Sequence, residues 1–271
     1  MKSCIFTVIK NEHEYLDEWI KYHLDLGIDH IFIFEDYDSE SHKEICDKYK
    51  YNVSLNNIFD ILNKEDIKNT ILSKIIKKYS IHNLYIKRCL TYLKKYFNEY
   101  DWCFTIDNDE FIVLENNNLN NTLLQYEDYD AIILSWKCYG ANGLINKPDY
   151  SKKSIINIYN KETDNNYLEK KPQDLFKTCY NLKKYKDNFF CNTHIPSNDC
   201  NWCNPIYIKD NIHPIYKKIY INHYITKSWE EYIWKIKERG YMWGLDKNYD
   251  FFFKVNPDML SIKHKLINEL N

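Results

Sequence analysis

Glycine is scarce in this chain of 271 residues, which contains five glycines and six prolines. A P-loop and a dinucleotide-binding fingerprint both need several glycines within a short segment, because the backbone must approach phosphate groups closely. No segment of the sequence supplies them. The sequence therefore excludes a P-loop and makes a dinucleotide fingerprint untenable.

The chain also lacks a long apolar run and an excess of charge. No run approaches the roughly 18 residues of a transmembrane helix, and strand-like sequence begins almost at Met1, where a signal peptide would lie. The formal net charge is -2, whereas a general nucleic-acid binder needs a basic face to release counterions. We therefore expect no transmembrane segment and no nucleic-acid partner.

Nine cysteines make an odd count, and they are scattered through segments that look helical or extended. This usage favours a reducing compartment over a disulfide framework, so we expect a soluble, cytoplasmic protein. One group of residues has the ligand types of a structural zinc site, although five residues separate its two pairs, a short gap for a tetrahedral knuckle. The alternative is that the cysteines are incidental; the group is Cys191, His194, Cys200 and Cys203.

A strand, a helix and a second strand open the predicted fold. The first strand is expected over Ser3–Ile9 and the second over residues 28–34. Gly27 is a good terminator for the helix between them. The order predicts a β-α-β unit with parallel strands. The expected apolar face of the helix contains Leu16, Trp19, Ile20, His23 and Leu24.

Periodicity predicts further helices and strands along the rest of the chain. Helices are expected over residues 40–50, 64–79, 81–98 and 119–126 and after Ser228, and strands over residues 102–106, 131–135 and 219–221. Glycine and proline punctuate residues 140–218, which we expect to be rich in loops. The predicted class is an α/β fold, with a mixed, mostly parallel sheet flanked by helices, in a single domain over 1–271.

An acidic turn follows the apolar residues 102–106. Asp107 and Asp109 lie one residue apart, with Glu110 directly behind them. Ligands of open α/β sheets bind at the carboxyl ends of the strands, and paired carboxylates there suit Mg²⁺ or Mn²⁺ held between protein and diphosphate. Asp-x-Asp also occurs at Asp36/Asp38 and at Asp128/Asp130, and the 128/130 copy precedes its strand instead of following it. The alternative for 107–109 is a solvated acidic turn.

His223 and Lys227 form the next candidate pair, at the end of a late strand. An imidazole nitrogen is a good ligand for Mn²⁺, and a lysine four residues later is placed to neutralise a departing diphosphate. The alternative is a partly buried histidine that packs against the last helix.

Several blocks, in this order along nearly the whole chain, resemble glycosyltransferase family 92 and its family 2-like relatives, which have the GT-A fold. The matching blocks are Lys10-Asn11-Glu12 with residues 15–19, Gly27-Ile28 with the strand into Glu35-Asp36, residues 101–111, Trp136 with the glycine loop 140–143, and Asn222-His223-Tyr224 with Lys227-Ser228 and Arg239-Gly240.

The resemblance implies a metal-dependent hexosyltransferase that uses Mn²⁺ or Mg²⁺ and a nucleotide sugar, with a UDP-sugar favoured. Its acceptor would be a glycan or another hydroxyl compound, and the transfer would proceed with inversion. Residues 1–135 would form the nucleotide-sugar half, and residues 136–271 would form the acceptor half with the C-terminal helix.

The resemblance also implies roles for single residues. Asp109 would ligate the metal directly and Asp107 through water, or Asp107 would hold the ribose; His223 would complete the metal site. Relatives usually carry Asp-Asn where this chain has Glu35-Asp36, so which of these two contacts the nucleotide stays open. The residues implied near the nucleotide are Asn11, Glu12, Glu35, Asp36, Asp107 and Lys227.

An inverting transfer needs a carboxylate to take the proton of the acceptor hydroxyl. The candidates are Asp174, Asp199 and Glu230. We prefer Asp174, because it follows the glycine loop at a place where this fold often carries its base.

Two other functions are compatible with parts of the sequence. A sugar nucleotidyltransferase would need a glycine-rich basic loop after the first strand, and Lys10-Asn11-Glu12 offers none. A catalytically silent module that binds nucleotides or carbohydrates is the other alternative, against which the intact Asp107, Asp109 and His223 argue.

Overall fold

The computed structural model describes residues 1–36, 39–62, 64, 82–163, 176–186, 193–194, 196–197, 199–203, 218–239 and 249–270. These residues contain nine strands: β1 Ser3–Ile9, β2 His30–Glu35, β3 Val53–Asn57, β4 Trp102–Thr105, β5 Glu110–Leu114, β6 Ala131–Tyr139, β7 Phe176–Asn181, β8 Trp202–Cys203 and β9 Ile219–Tyr224. The described α-helices are α1 His13–Leu26, α2 Lys43–Asp47, α3 His82–Leu93, α4 Leu119–Leu124, α5 Ile155–Ile158, α6 Trp229–Arg239, α7 Tyr249–Val255 and α8 Lys263–Asn268.

The strands form one mixed sheet in the order β3-β2-β1-β4-β7-β6-β9-β5, with β8 beside β6. β1, β2, β3 and β4 run parallel, and β7 runs antiparallel to both of its neighbours. β6 pairs with β7 through its first half and runs parallel to β9 through its second. The predicted class is confirmed: the fold is α/β, with a mixed, mostly parallel sheet flanked by helices.

The central strands are buried on both faces. In β1, Ile5 packs in one apolar cluster with residues of α1, and its neighbour Phe6 packs in another with residues of α3. Successive side chains of a strand point to opposite faces, so a strand covered by helices on both sides has an almost continuous apolar sequence. The Ser3–Ile9 segment has this character.

Helix α1 covers the free edge of β5. Trp19 Nε1 donates to the Glu110 carbonyl at 2.7 Å, and the Tyr22 hydroxyl donates to the Ile112 carbonyl at 2.7 Å. The Ile112 amide donates to His23 Nε2 at 3.3 Å. An unpaired strand edge leaves backbone groups without partners; here the side chains of one helix supply them.

Local signals predicted the start of the fold well. β1 has the predicted bounds, and β2 begins two residues later than expected. Gly27 ends α1 in the left-handed conformation, with φ of 105°, which glycine adopts without strain. Of the expected apolar face, Leu16, Trp19, Ile20 and His23 are buried and Leu24 is only partly so.

Other boundaries differ from the prediction. The helix expected over residues 40–50 is shortened to Lys43–Asp47, and the one expected over 81–98 is α3 followed by a 3₁₀ turn, Lys94–Tyr96. The segment 140–218, expected to be mainly loops, contains the buried strand β7. The helix expected over residues 64–79 lies outside the described residues, apart from residue 64.

Two further features concern the helices and the cysteines. In the described part of the chain, no helix combines the length and apolar character that crossing a bilayer requires. The eight cysteines described are free thiols, and seven of them are buried.

The buried imidazole of His23 makes stability depend on pH. Its Nδ1 donates to the Trp19 carbonyl at 2.8 Å while Nε2 accepts from Ile112, so no nitrogen is left for a second proton. Burial lowers the pKa of His23 to about 3. The unfolded chain therefore binds a proton below about pH 6.5 that the folded chain does not, and the free energy of unfolding falls as the pH decreases through that window.

We expect His23 to account for about 2 kcal/mol of destabilisation between pH 7 and pH 5. Urea unfolding of His23→Gln at the two pH values checks this, since the variant loses that part of the pH dependence. The control is His264→Gln, at an exposed histidine, which leaves the dependence unchanged. An equal loss of stability on acidification in His23→Gln and the wild type would contradict the assignment.

Candidate active site

The acidic turn lies between β4 and β5, at the carboxyl end of β4. The Asp107 amide donates to Glu110 Oε2 at 2.9 Å, and the Glu110 amide donates to the Asp107 carbonyl at 3.1 Å. The Asp109 carbonyl accepts from the Tyr224 amide at 3.0 Å. These bonds fix the backbone of the turn. β1 runs parallel to β4, so Asn11 and Glu12 follow their strand at the same edge of the sheet.

Three ligand atoms converge behind the turn. One atom each from Asp109, Glu110 and His223 lies within 4.8 Å of the other two. The pairing of β5 with β9 causes this, because Glu110 is the register partner of His223. All three residues are buried. The structure thus places Asp109 and His223 close together and adds Glu110 to them.

Asp107 lies outside that group. Its Oδ2 accepts from Lys177 Nζ at 2.8 Å, and its side chain is about one-third exposed. The same lysine lies 3.7 Å from Glu110 Oε1. A role for Asp107 at the metal or the nucleotide therefore stays a prediction.

Two lysines that the sequence analysis missed neutralise the carboxylates. Lys177, from β7, is fully buried between Asp107 and Glu110. Lys235, from α6, places Nζ 3.1 Å from Asp109 Oδ2. Buried charges persist only when they are paired. β7 thus supplies a cation to Asp107 and Glu110, and α6 supplies one to Asp109.

The pKa values of the neighbouring carboxyls Asp109 and Glu110 are shifted in opposite directions. Burial alone would raise the pKa of Asp109, but the charges of Lys235, His223 and Lys227 outweigh it and hold that pKa well below its usual range. For Glu110, burial dominates and raises the pKa well above its usual range, although Lys177 opposes the shift. Of these two carboxyls, Asp109 is therefore the stronger anion.

Lys227 connects the carboxyl end of β9 to that of β1. It has a left-handed backbone, with φ of 55°, and its Nζ donates to the Tyr15 hydroxyl. The same Nζ lies 3.7 Å from Glu12 Oε2 and 4.3 Å from the centre of the Tyr15 ring. Burial lowers the pKa of Lys227, against the opposing charge of Asp109.

A second network joins the ends of β1 and β2. Glu35 Oε1 accepts from both the backbone amide and Nδ1 of His42, at 2.5 and 2.9 Å, and His42 Nε2 accepts from the Glu12 amide at 3.0 Å. Asn11, with φ of 51°, accepts through Oδ1 from the Glu40 amide. Glu35 and Asp36 are both buried, and their proposed contact with a nucleotide stays a prediction.

A cavity of about 400 Å³ opens beside this edge of the sheet, within the usual range for small-molecule sites. Charged side chains from the turn after β1, from α1 and from α6 form much of its wall. Trp234 contributes an exposed ring. Residues lining it include Asn11, Glu12, Tyr15, Lys227, Glu230, Trp234 and Lys235.

The three candidates for the catalytic base lie in different places. Asp174 lies outside the described residues, and Asp199 is exposed. Glu230 lines the cavity and accepts from the Lys147 amide at 2.7 Å.

The zinc hypothesis gains no support among the described residues, where His194, Cys200 and Cys203 do not form a close group of ligand atoms. Cys191 lies outside those residues. His194 Nδ1 instead donates to the Phe176 carbonyl at 2.7 Å.

The group of Asp109, Glu110 and His223 fits a small divalent cation. Glu110 Oε1 is buried and accepts no hydrogen bond from the described residues. Two carboxylates with an imidazole favour Mn²⁺ over Mg²⁺, which prefers oxygen ligands alone.

No family model matches the chain, and no curated protein matches it. Among solved structures, Staphylococcus aureus TarS 1–349 in complex with UDP is 15% identical with a TM-score of 0.43; the match covers 83% of this chain and 61% of that one. HddC from Yersinia pseudotuberculosis is 11% identical, with a TM-score of 0.42 and coverage of 88% and 100%. The mannosyltransferase Ktr4p from Saccharomyces cerevisiae is 16% identical, with a TM-score of 0.30 and coverage of 49% and 39%. Likenesses of this strength carry no functional argument.

Removing Lys177 is expected to leave Asp107 and Glu110 buried without their cation. We expect Lys177→Met to lower the free energy of unfolding by about 3–5 kcal/mol, measured by urea denaturation. Adding Glu110→Gln to that variant restores part of the loss.

The control is Lys183→Met, which removes an exposed lysine paired with Asp101 and should cost less than about 1 kcal/mol. Equal effects of the two substitutions would show that the Lys177 pairs do not stabilise the turn.

Proposed function

We propose that the protein is a metal-dependent glycosyltransferase that moves a hexose from a nucleotide sugar to the hydroxyl group of a glycan or another acceptor. One observation carries the proposal: Lys235, which lines the cavity together with Lys227, contacts Asp109 of the buried group Asp109, Glu110 and His223. Divalent ligands and ammonium groups at one edge of a sheet suit the diphosphate of such a donor.

Asp109, Glu110 and His223 would hold the ion, and Mn²⁺ suits them best. When bound, the ion would supply Lewis-acid stabilisation to the charge that develops on the leaving diphosphate. Lys227 would stabilise the same charge from the side of β1, where Tyr15 and Glu12 fix its ammonium group.

The nucleoside would lie toward β1 and β2. Asn11 and Glu12 line the cavity, and Glu12 connects through His42 to Glu35. We propose that Asn11, Glu12, Asp36 and Glu35 form this end of the pocket, and that Asp107 contacts the ribose or the metal. A UDP-sugar is the favoured donor, since the sequence blocks resemble a family that uses such donors.

The acceptor would enter from residues 136–271, which we propose as the acceptor half of a single GT-A domain, with residues 1–135 as the donor half. A carboxylate from this half would take the proton of the hydroxyl, as inversion requires. Asp174, Asp199 and Glu230 remain the alternatives; of these, Glu230 lines the cavity. We propose a cytoplasmic location from the free thiols.

A donor-hydrolysis screen tests the proposal. UDP- and GDP-sugars are incubated with the wild type, with and without Mn²⁺, and the released nucleoside diphosphate is measured. We expect Mn²⁺-dependent release from one donor and a loss of at least about 100-fold in Asp109→Asn, because that change removes an anionic ligand.

The matched control is Asp128→Asn, which alters another Asp-x-Asp motif at an exposed position and should leave the rate unchanged. Turnover that is independent of Mn²⁺ would contradict the metal role. Nucleotide binding without turnover of any donor, with or without a sugar acceptor, would favour the silent binding module.

A further inference from the structure

Lys235 has a single ionic partner in the described part of the chain. Its Nζ lies 3.1 Å from Asp109 Oδ2. Glu231, one helical turn earlier on α6, is unavailable because its carboxylate accepts hydrogen bonds from Tyr150, Tyr159 and Ser228. Asp109 is therefore the anion that Lys235 contacts directly.

Asp109 is also the strongest anion in the group that fits a divalent ion. An ammonium group at 3.1 Å from Oδ2 and a metal ion on the same carboxylate repel each other in a buried site, where like charges are poorly screened. Lys227 lies in the same cavity wall and adds to that repulsion. Lys235 and the ion therefore compete for Asp109.

The ammonium group of Lys235 can also reach into the cavity. It lines the 400 Å³ cavity, and its side chain is 27% exposed. Lysine has a flexible four-carbon stem, so its ammonium group can move several ångströms while the helix stays fixed. Lys227, in contrast, is held by Tyr15 and Glu12 and is 6% exposed.

We propose that Lys235 exchanges partners: it neutralises Asp109 in the empty site and transfers to the diphosphate of the nucleotide when the ion occupies Asp109. The proposal rests on the proposed function, since it takes the nucleoside diphosphate as the ligand of the cavity. It makes Lys235 a binding residue and a switch between the metal and the nucleotide.

The exchange predicts that the metal and the nucleotide bind cooperatively. The ion alone must displace Lys235 from Asp109, so it binds weakly. A diphosphate offers Lys235 a new partner, which removes that competition. Linkage requires the metal to raise nucleotide affinity by the same factor.

The experiment measures two affinities in the wild type and in Lys235→Met. Binding of Mn²⁺ without nucleotide is followed by the electron paramagnetic resonance of free Mn²⁺, and binding of UDP at saturating Mn²⁺ by calorimetry. We expect Lys235→Met to bind Mn²⁺ about tenfold more tightly and UDP about tenfold more weakly. The two opposite signs are the signature of the exchange.

Other outcomes overturn the proposal. Weaker binding of both ligands would assign Lys235 a structural role only. Tighter Mn²⁺ binding with unchanged UDP affinity would make it a counter-ion of Asp109 that never reaches the diphosphate. Unchanged affinities would remove it from the site.

Two further variants check the result obtained with Lys235→Met. Lys235→Arg keeps the charge and should retain both wild-type affinities, and Lys235→Gln should repeat the signs of Lys235→Met if the latter fails to fold. The matched control is Lys263→Met: Lys263 is 29% exposed and pairs with Asp250 at 2.6 Å, but it does not line the cavity.

Failure of the proposed function would give a different result from failure of the exchange alone. If neither the wild type nor Lys235→Met binds Mn²⁺ even with UDP present, the metal-dependent transferase is excluded together with the exchange. If Mn²⁺ binds with UDP in both proteins but without the opposite shifts, only the exchange is excluded.

Discussion

Burial of several carboxylates at one edge of the sheet is the constraint on which the rest of the site depends. Removing a charge from water costs far more than any single apolar contact returns, so each buried anion needs a cation nearby. Lys177 comes from β7, Lys227 follows β9, and Lys235 comes from α6. The strand order and the position of α6 are therefore tied to the charge of one short turn.

Helix α1 performs two tasks in this arrangement. It completes the hydrogen bonds of the β5 edge through Trp19, Tyr22 and His23, and it presents Tyr15 to Lys227 at its first turn. One helix thus positions both the backbone of β5, which follows the acidic turn, and the ammonium group of Lys227. Preorganised groups of this kind are what an electrostatic site requires, because they need no rearrangement when charge develops.

Local patterns in the sequence predict β1, the end of α1 at Gly27 and the place of the acidic turn, because each depends on neighbours in the chain. They fail for Lys177 and Lys235. The carboxylates these lysines neutralise lie 70 and 126 residues away in the chain. A lysine in a strand near prolines, or beside the polar face of a helix, has the sequence signature of a surface residue; only the fold brings its partner to it.

The long-range pairing of β5 with β9 also constrains the order in which the chain becomes structured. Glu110 meets His223 only after more than a hundred further residues have been synthesised, and pairings between distant segments form slowly. Until then, the carboxylates of the turn stay hydrated and repel one another. The edge of β5 that faces β9 therefore has no strand partner until residues 219–224 are present, and its backbone groups are exposed to other chains during that time.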